Sequence, residues 1–240
     1  MQLIFLDIEG TGLDLEHDRL CQVCYCAGDT TRTEYFKPRV PMSVKAMSIT
    51  HITNRMLEDR PPFTGSDMKA ELGALLADGV LVAHNAAYDA GMLEAEGLAV
   101  PRRICTLKVS RHLDPDGLIP EHKLQYLRYH HDLDVEGGAH DAEGDVNVLA
   151  ALFPLLRQEL MRQEGISEEA SIDRMIGISA QPSLRKRFTF GKHNGELIGD
   201  VAMTDPGYLR WLLEQKRNSP QQEEEWIYTL EHYLGAGGAA

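Results

Sequence analysis

Two carboxylates stand two residues apart near the start of the chain, in the stretch FLDIEGTG at residues 5–12. Side chains on a strand alternate between its faces, so Asp7 and Glu9 are predicted to point to the same side, about 7 Å apart along the strand. Two acids on one buried face repel each other and lose hydration. A divalent cation such as Mg²⁺, which prefers oxygen ligands, would compensate for both effects. The pair alone also fits a solvated strand edge, and further acids are needed to distinguish the two.

A third acid, Asp89, follows a short apolar strand in LVAHNAAYDAG, residues 81–91. We expect this strand to end near His84 and Asn85 to cap the helix that follows. Asp89 then lies one turn into the helix, directed back toward the carboxyl end of the strand. Taken alone, an acid in a first helical turn can simply favour the helix dipole.

A fourth acid, Asp145, occurs in GGAHDAEGDVNVL, residues 137–149, on a predicted helix from about residue 139 to 163. His140 precedes it by five residues, a little more than one helical turn, so both side chains can border one cavity. His140 taken alone can also be a surface residue of a first turn. The combination of four acids and a histidine makes a metal-dependent site the stronger interpretation.

These three motifs, in this order, resemble those of the DEDD exonuclease superfamily, and the resemblance spans roughly residues 3–158. It implies a ribonuclease H-like fold and a two-metal mechanism that uses Mg²⁺ or Mn²⁺, two ions per site. The tyrosine subgroup has Tyr four residues before the last acid, where this chain has Asp141, whereas the histidine subgroup has His at the position of His140. By this resemblance His140 is the general base and the metal ligands are Asp7, Glu9, Asp89 and Asp145.

The resemblance further implies substrate contacts at Gly10, Thr11, His51 and Asn85. Many members have threonine directly after the motif glutamate, whereas here Gly10 precedes Thr11. A small residue at this position would leave room for a terminal nucleotide. For His51 a purely structural role remains an equal alternative.

The order of predicted elements is three strands, then alternating strands and helices, which is typical of an α/β fold with a mixed sheet flanked by helices. We predict an exonuclease domain at residues 1–160, a linker or short helix at 161–181, a small C-terminal α+β module at 182–234 and a disordered tail at 235–240. The module has a hairpin signal at HNG and helical stretches on both sides of Pro220.

The module sequence LRKRFTFGKHNG with DPGYLRWLL resembles the C-terminal module of bacterial exodeoxyribonuclease X enzymes. We expect its phenylalanines, Phe188 and Phe190, to contribute to a small core, and Trp211 to lie in that core as well. Cations neutralise phosphates, so its basic residues are predicted DNA contacts, with a solvated face as the alternative. They are Arg185, Lys186, Arg187 and Lys192.

The formal net charge of the 240 residues is −13, which opposes adhesion to phosphate backbones. A nucleic-acid enzyme of this charge needs bound cations or a basic patch. The first residues carry no signal-peptide pattern and no long apolar run occurs, so we expect a cytoplasmic protein without a membrane partner. Cys21, Cys24, Cys26 and Cys105 are expected to be reduced and packed, because a zinc site usually needs a second ligand pair.

The sequence therefore predicts a metal-dependent 3′→5′ exodeoxyribonuclease acting on DNA 3′ ends, single-stranded or frayed duplex, in repair or replication-associated end processing. Two alternatives stay open. One is a 3′→5′ exoribonuclease, because the four acids do not distinguish the sugar. The other is a catalytically silent nucleic-acid-binding protein. Related enzymes are sometimes dimers, which leaves a homodimer open.

Overall fold

The computed structural model describes residues 1–136, 141–219 and 223–236, and these form five strands and eleven helices. The strands are β1 (Leu3–Gly10), β2 (Leu20–Ala27), β3 (Thr30–Tyr35), β4 (Val80–Ala83) and β5 (Arg103–Cys105). The helices of the first half are α1 (Val44–Thr50), α2 (Asn54–Leu57), α3 (Asp67–Asp78), α4 (Ala87–Ala95) and α5 (Thr106–His112). Those of the second half are α6 (Leu124–His130), α7 (Ala142–Glu164), α8 (Glu168–Ser179), α9 (Ile198–Thr204), α10 (Pro206–Lys216) and α11 (Glu224–Ala236).

The five strands form one mixed sheet in the order β3-β2-β1-β4-β5. The first three strands are an antiparallel meander, and β4 and β5 continue the sheet in parallel with β1. The predicted mixed α/β sheet is therefore confirmed. Its consequence for function is that β1, the strand with the first two acids, lies at the centre and has a neighbour on each side.

Side chains of β1 alternate as predicted, with Ile4, Leu6 and Ile8 buried on one face. On the other face Phe5 packs with Cys24 of β2 and with Ala142 and Val146 of α7. The ring of Phe5 also meets that of Phe153, edge to face, at 5.4 Å between centroids. Helix α7 therefore covers the face on which Asp7 and Glu9 lie.

The chain divides into two compact units. The first unit contains Met1–Thr106 and Leu124–Gln158, and the second contains Leu107–Lys123 and Glu159–Ala240. The division after Gln158 is close to the predicted boundary at residue 160. Residues 107–123, which lie within the predicted first domain, belong instead to the second unit. The segment 161–181 is largely helical, since it holds the end of α7 and all of α8. Of the predicted tail, Gly235 and Ala236 belong to α11, and the rest is outside the described residues.

The second unit has its own core around the aromatic rings of Phe188 and Trp226, which stack at 5.8 Å. The predicted hairpin is present as an antiparallel bridge between Arg187 and Leu197. Trp211 was wrongly expected in this core, because its side chain is 52% exposed. The apolar stripe of α10 consists of Leu209, Leu212 and Leu213, and this spacing turns Trp211 outward.

All four cysteines are free, and Cys21, Cys24 and Cys105 are buried, as expected of packed thiols. Burial raises the pKa of Cys21 and of Cys24 to about 12. In the parts of the chain that the structure describes, no helix is long and apolar enough to cross a membrane.

Gly79 links α3 to β4, and a side chain there has no space. A Cβ atom at this position would lie 2.6 Å from the carbonyl oxygen of Leu75 and would overlap Ile4 Cδ1. We predict that Gly79→Ala lowers the free energy of unfolding by about 1–3 kcal/mol, as overpacking does.

Gly177, inside α8, is the matched control, because a Cβ there meets nothing within 4 Å. Gly177→Ala should stabilise by about 0.5–1 kcal/mol through helix propensity. Urea denaturation of both variants measures the two changes in the free energy of unfolding, and equal changes would contradict the prediction.

Candidate active site

Three of the predicted metal ligands meet at one place. Asp7, Glu9 and Asp145 offer carboxylate oxygens that all lie within 4.8 Å of one another, and we call these three residues the acidic cluster. Asp7 and Glu9 share a face of β1, and α7 covers that face with Asp145 in its first turn. Strand alternation and one helix packing contact are therefore enough to assemble the cluster from residues more than 130 positions apart.

Asp89 approaches β1 from α4. Its Oδ1 accepts a hydrogen bond from the backbone amide of Ile8 at 3.1 Å. The pairing of β1 with β4 covers only Leu3 to Phe5, so the amide of Ile8 lies beyond the end of that ladder. A buried amide needs an acceptor, and Asp89, itself 3% exposed, supplies it. The fourth acid is thus fixed beside the residue that separates Asp7 from Glu9.

Burial and mutual repulsion shift the titration of these acids upward. Burial is the main cause that raises the pKa of Asp7 well above its usual value, and Asp89, Asp145 and Glu9 add to it. Burial, with Asp145 and Asp141 next, raises the pKa of Glu9 to about 7. Burial raises the pKa of Asp89 to about 8, although its backbone hydrogen bonds act in the opposite direction. The described surroundings of Asp7, Glu9 and Asp89 therefore disfavour the ionised form of these carboxyl groups.

The donor set fits a hard divalent cation. Within residues 1–136, 141–219 and 223–236, no lysine or arginine forms an ion pair with Asp7 or Glu9. Clustered carboxylate oxygens are the ligands that Mg²⁺ and Mn²⁺ prefer, and a bound cation reverses the local potential. The acidic cluster together with Asp89 can therefore hold divalent metal.

Two glutamines hold acids at this site, and the sequence reading missed both. The side-chain amide of Gln125, on α6, donates to Oδ1 of Asp145 at 2.6 Å. That of Gln22, on β2, donates to Oδ1 of Asp141 at 3.1 Å. A polar residue on a short helix or a strand carries no sequence signal for such a role, because it depends on tertiary contact.

His140, the predicted general base, lies outside the described residues. Its neighbour Asp141 is described and precedes α7, where its carbonyl accepts a hydrogen bond from the amide of Asp145 at 2.9 Å. The predicted helix start at residue 139 is therefore close to the observed start at Ala142. The role of His140 stays a prediction from the sequence.

The predicted substrate residues Gly10 and Thr11 have internal partners. A Cβ at Gly10 would lie 2.5 Å from the hydroxyl of Tyr88, so packing inside the protein is itself a reason for glycine. Thr11 is 1% exposed, and its hydroxyl donates to Asp18 at 2.8 Å and accepts from the amide of Arg19 at 3.1 Å. Both residues organise the start of the loop after β1, and their substrate contacts stay predictions.

The other two predicted substrate residues are exposed and have left-handed backbones. His51 ends α1 with φ 58°, and Asn85 has φ 72° between β4 and α4. The expectation that Asn85 caps α4 was wrong, because Ala86 occupies the N-cap position and no side chain caps that helix. Asparagine tolerates positive φ better than most residues, and this accounts for its place in the turn.

Three of the four cations predicted to contact DNA have partners inside the second unit. Arg187 donates to the carbonyls of Gly117 and Gly195, each at 2.8 Å. Lys192 pairs with Asp205 at 2.6 Å. Arg185 lies over the ring of Trp226 at 4.8 Å, and burial lowers its pKa to about 10. Lys186 has no acidic partner among the described residues and lines a cavity.

Comparisons with known proteins identify the family of this chain. A family model described as exonuclease matches residues 4–153, and one described as exodeoxyribonuclease X-like C-terminal matches residues 188–217. The chain is 33% identical over 208 residues to exodeoxyribonuclease 10 of Escherichia coli, covering 82% of each protein. It is also 24% identical to the PolC-type DNA polymerase III of Staphylococcus epidermidis, over 72% of this chain and 12% of that protein.

Solved structures show the same fold. Exonuclease X in complex with 5′ overhanging duplex DNA aligns with a TM-score of 0.56 and 24% identity, over 74% of this chain and 99% of that one. Exonuclease I of Escherichia coli with a dA16 oligonucleotide aligns with a TM-score of 0.59 and 19% identity, over 72% of this chain and 42% of that one. The chain therefore belongs to the exonuclease family and is a 3′–5′ exonuclease whose C-terminal segment is exodeoxyribonuclease X-like.

Proposed function

We propose that this enzyme hydrolyses DNA from 3′ ends and releases 5′-mononucleotides, in repair or replication-associated end processing in the cytoplasm. The observation that carries the proposal is the convergence of Asp7, Glu9 and Asp145 within 4.8 Å, next to the buried Asp89. The relative from Escherichia coli is named as an exodeoxyribonuclease, and two structural neighbours hold DNA, which favours DNA over RNA. Homodimer formation stays a prediction of the resemblance.

In this mechanism the four acids, Asp7, Glu9, Asp89 and Asp145, would hold two Mg²⁺ or Mn²⁺ ions. Such ions, when bound, lower the pKa of a water and stabilise the charge on the leaving 3′ oxygen. The chain's own contribution is placement, because β1 fixes Asp7 and Glu9 while the amides of Ile8 and Gln125 orient Asp89 and Asp145. His140 is proposed to take the proton of the attacking water, since an imidazole can accept a proton near neutral pH.

The direct test is hydrolysis of a single-stranded oligonucleotide labelled at its 5′ end, with Mg²⁺ or Mn²⁺. We expect a ladder of products shortened from the 3′ end and release of 5′-mononucleotides. A matched RNA strand in the same reaction tests the sugar preference, and we expect DNA to be degraded faster. Shortening from the 5′ end, or faster loss of the RNA, would refute the proposed substrate or polarity.

Asp7→Asn separates metal binding from folding. We expect at least about a 100-fold loss of activity, because even outer residues of metal sites contribute 10–100-fold. Without metal the variant should melt at the same temperature as the wild type or higher, since a neutral amide removes repulsion from the cluster. Differential scanning calorimetry without and with Mn²⁺ measures the melting temperature and its rise on metal binding. The variant should lose most of that rise. An unchanged rise would exclude Asp7 as a ligand.

Gln125→Ala tests the hydrogen bond that holds Asp145. We predict a 10–100-fold weaker apparent affinity for Mg²⁺ in the hydrolysis assay, with most of the activity recovered at high Mg²⁺. Gln163→Ala is a suitable control, because the amide of Gln163 donates to Leu113 and Glu159 instead of to a cluster acid. If both variants need the same Mg²⁺ concentration, Gln125 does not position the ligand.

A further inference from the structure

The second unit contains a cavity of about 430 Å³ that none of the predicted catalytic residues lines. Its walls come from α5, the last part of α8, the segment after α8, and Tyr228 of α11. Five basic side chains line it and no acidic one does. We call it the basic pocket, and its basic residues are Lys108, Arg111, His112, Arg174 and Lys186.

Lys108 and Arg111 are held in fixed positions in this pocket. The ammonium group of Lys108 donates to the carbonyl oxygens of Ser179 and Gln181, at 3.3 and 2.8 Å, where α8 ends. The guanidinium of Arg111 donates to Ser183 Oγ at 3.0 Å and pairs with Glu225. Because both cations are already ordered, a bound anion would cost little additional side-chain entropy.

Arg174, on α8, is a third ordered cation of the pocket. Arg174 forms a two-point ion pair with Glu164, at 2.7 and 2.8 Å, and His112 contacts the same carboxylate at 2.7 Å. The pocket's four lysine and arginine side chains therefore face two partner carboxylates, Glu164 and Glu225. This leaves an excess of positive charge in a chain whose net charge is −13.

Lys186 contributes most of the uncompensated charge. It has no ion pair within the described ranges, in contrast to Arg111 and Arg174. A Cβ atom added at Gly117 would lie 2.7 Å from the Cβ of Lys186, so the base of this side chain is packed, and Lys186 is one of the residues that line the pocket. A free, partly ordered ammonium among oriented guanidinium groups is suited to phosphate oxygens.

We propose that the basic pocket binds a backbone phosphodiester of the nucleic-acid strand, outside the catalytic centre. The inference rests on the proposed function for its substrate class. The cavity is in the size range of small-ligand sites, which is more room than an isolated inorganic ion needs, and the partly exposed ring of Tyr228 offers a surface for a sugar or base. The pocket thus supplies local attraction where the overall charge of the protein opposes the strand.

The test compares Lys186→Ala with Arg210→Ala in the full chain. Arg210 is an exposed cation of α10 that does not line the pocket, so both variants remove one positive charge. Binding of a fluorescent 20-nucleotide strand is measured by anisotropy in EDTA over a range of salt concentrations. For Lys186→Ala we expect affinity to fall about fivefold at 0.1 M salt and the salt slope to fall by about 0.7, the value for one phosphate of a single strand. Arg210→Ala should behave as the wild type.

Hydrolysis of a tetranucleotide with Mg²⁺ separates the two proposals. Lys186→Ala should keep a larger share of the wild-type rate on this short strand than on the 20-nucleotide strand, because a shorter strand offers fewer phosphates to the pocket. Wild-type protein that cleaves neither strand would refute the proposed function, whereas cleavage with unchanged 20-nucleotide binding in Lys186→Ala would refute the pocket. Equal losses in Lys186→Ala and Arg210→Ala would also refute it. Displacement of the strand by 5′-mononucleotide from the wild type, but not from Lys186→Ala, would instead identify a site for the released product.

Discussion

Repulsion between carboxylates on the central strand is the constraint on which the site depends. Asp7 and Glu9 lie on β1, which has a strand on each side, and α7 adds Asp145 to the same face. Such a face would normally be apolar, and its burial raises the pKa values of Asp7 and Glu9. A protein that places acids here loses stability unless a cation joins them. Metal binding and the integrity of this part of the fold are therefore coupled.

Hydrogen bonds hold the described residues around the site in place. The amides of Ile8 and Gln125 each fix one acid, and Thr11 and Asp18 close the loop after β1. The hydroxyl of Tyr88 lies where a side chain at residue 10 would be and donates to the carbonyl of Gly12 at 3.1 Å. A metal site needs its ligand oxygens held to within about 0.5 Å, and these contacts provide that order before metal binds.

Much of the fold could be predicted because it rests on local periodicity. Alternation along β1 placed Asp7 and Glu9 on one face, whereas Asp89 and Asp145 were assigned to the same site by the resemblance of three motifs to a known superfamily. The roles that were predicted wrongly or missed depend on tertiary contacts. Trp211 was assigned to the core, Asn85 was expected to cap α4, and Gln125 was not noticed at all. The same limit applies to Arg187 and Lys192, since no sequence pattern reveals that their charges are already engaged by Gly117 and Asp205.

Two kinds of positive charge therefore act in this acidic protein, and they differ in what they can do. The first unit, which contains the acidic cluster, leaves charge to be supplied by a bound divalent cation, which a chelator would remove. The second unit carries its own cations in the basic pocket, where Lys108 and Arg111 are held by backbone and side-chain partners. A fixed ammonium can attract a phosphate but cannot lower the pKa of water as a divalent ion does. Capture of the strand can thus persist without metal, while hydrolysis cannot, and this separates the roles of the two units.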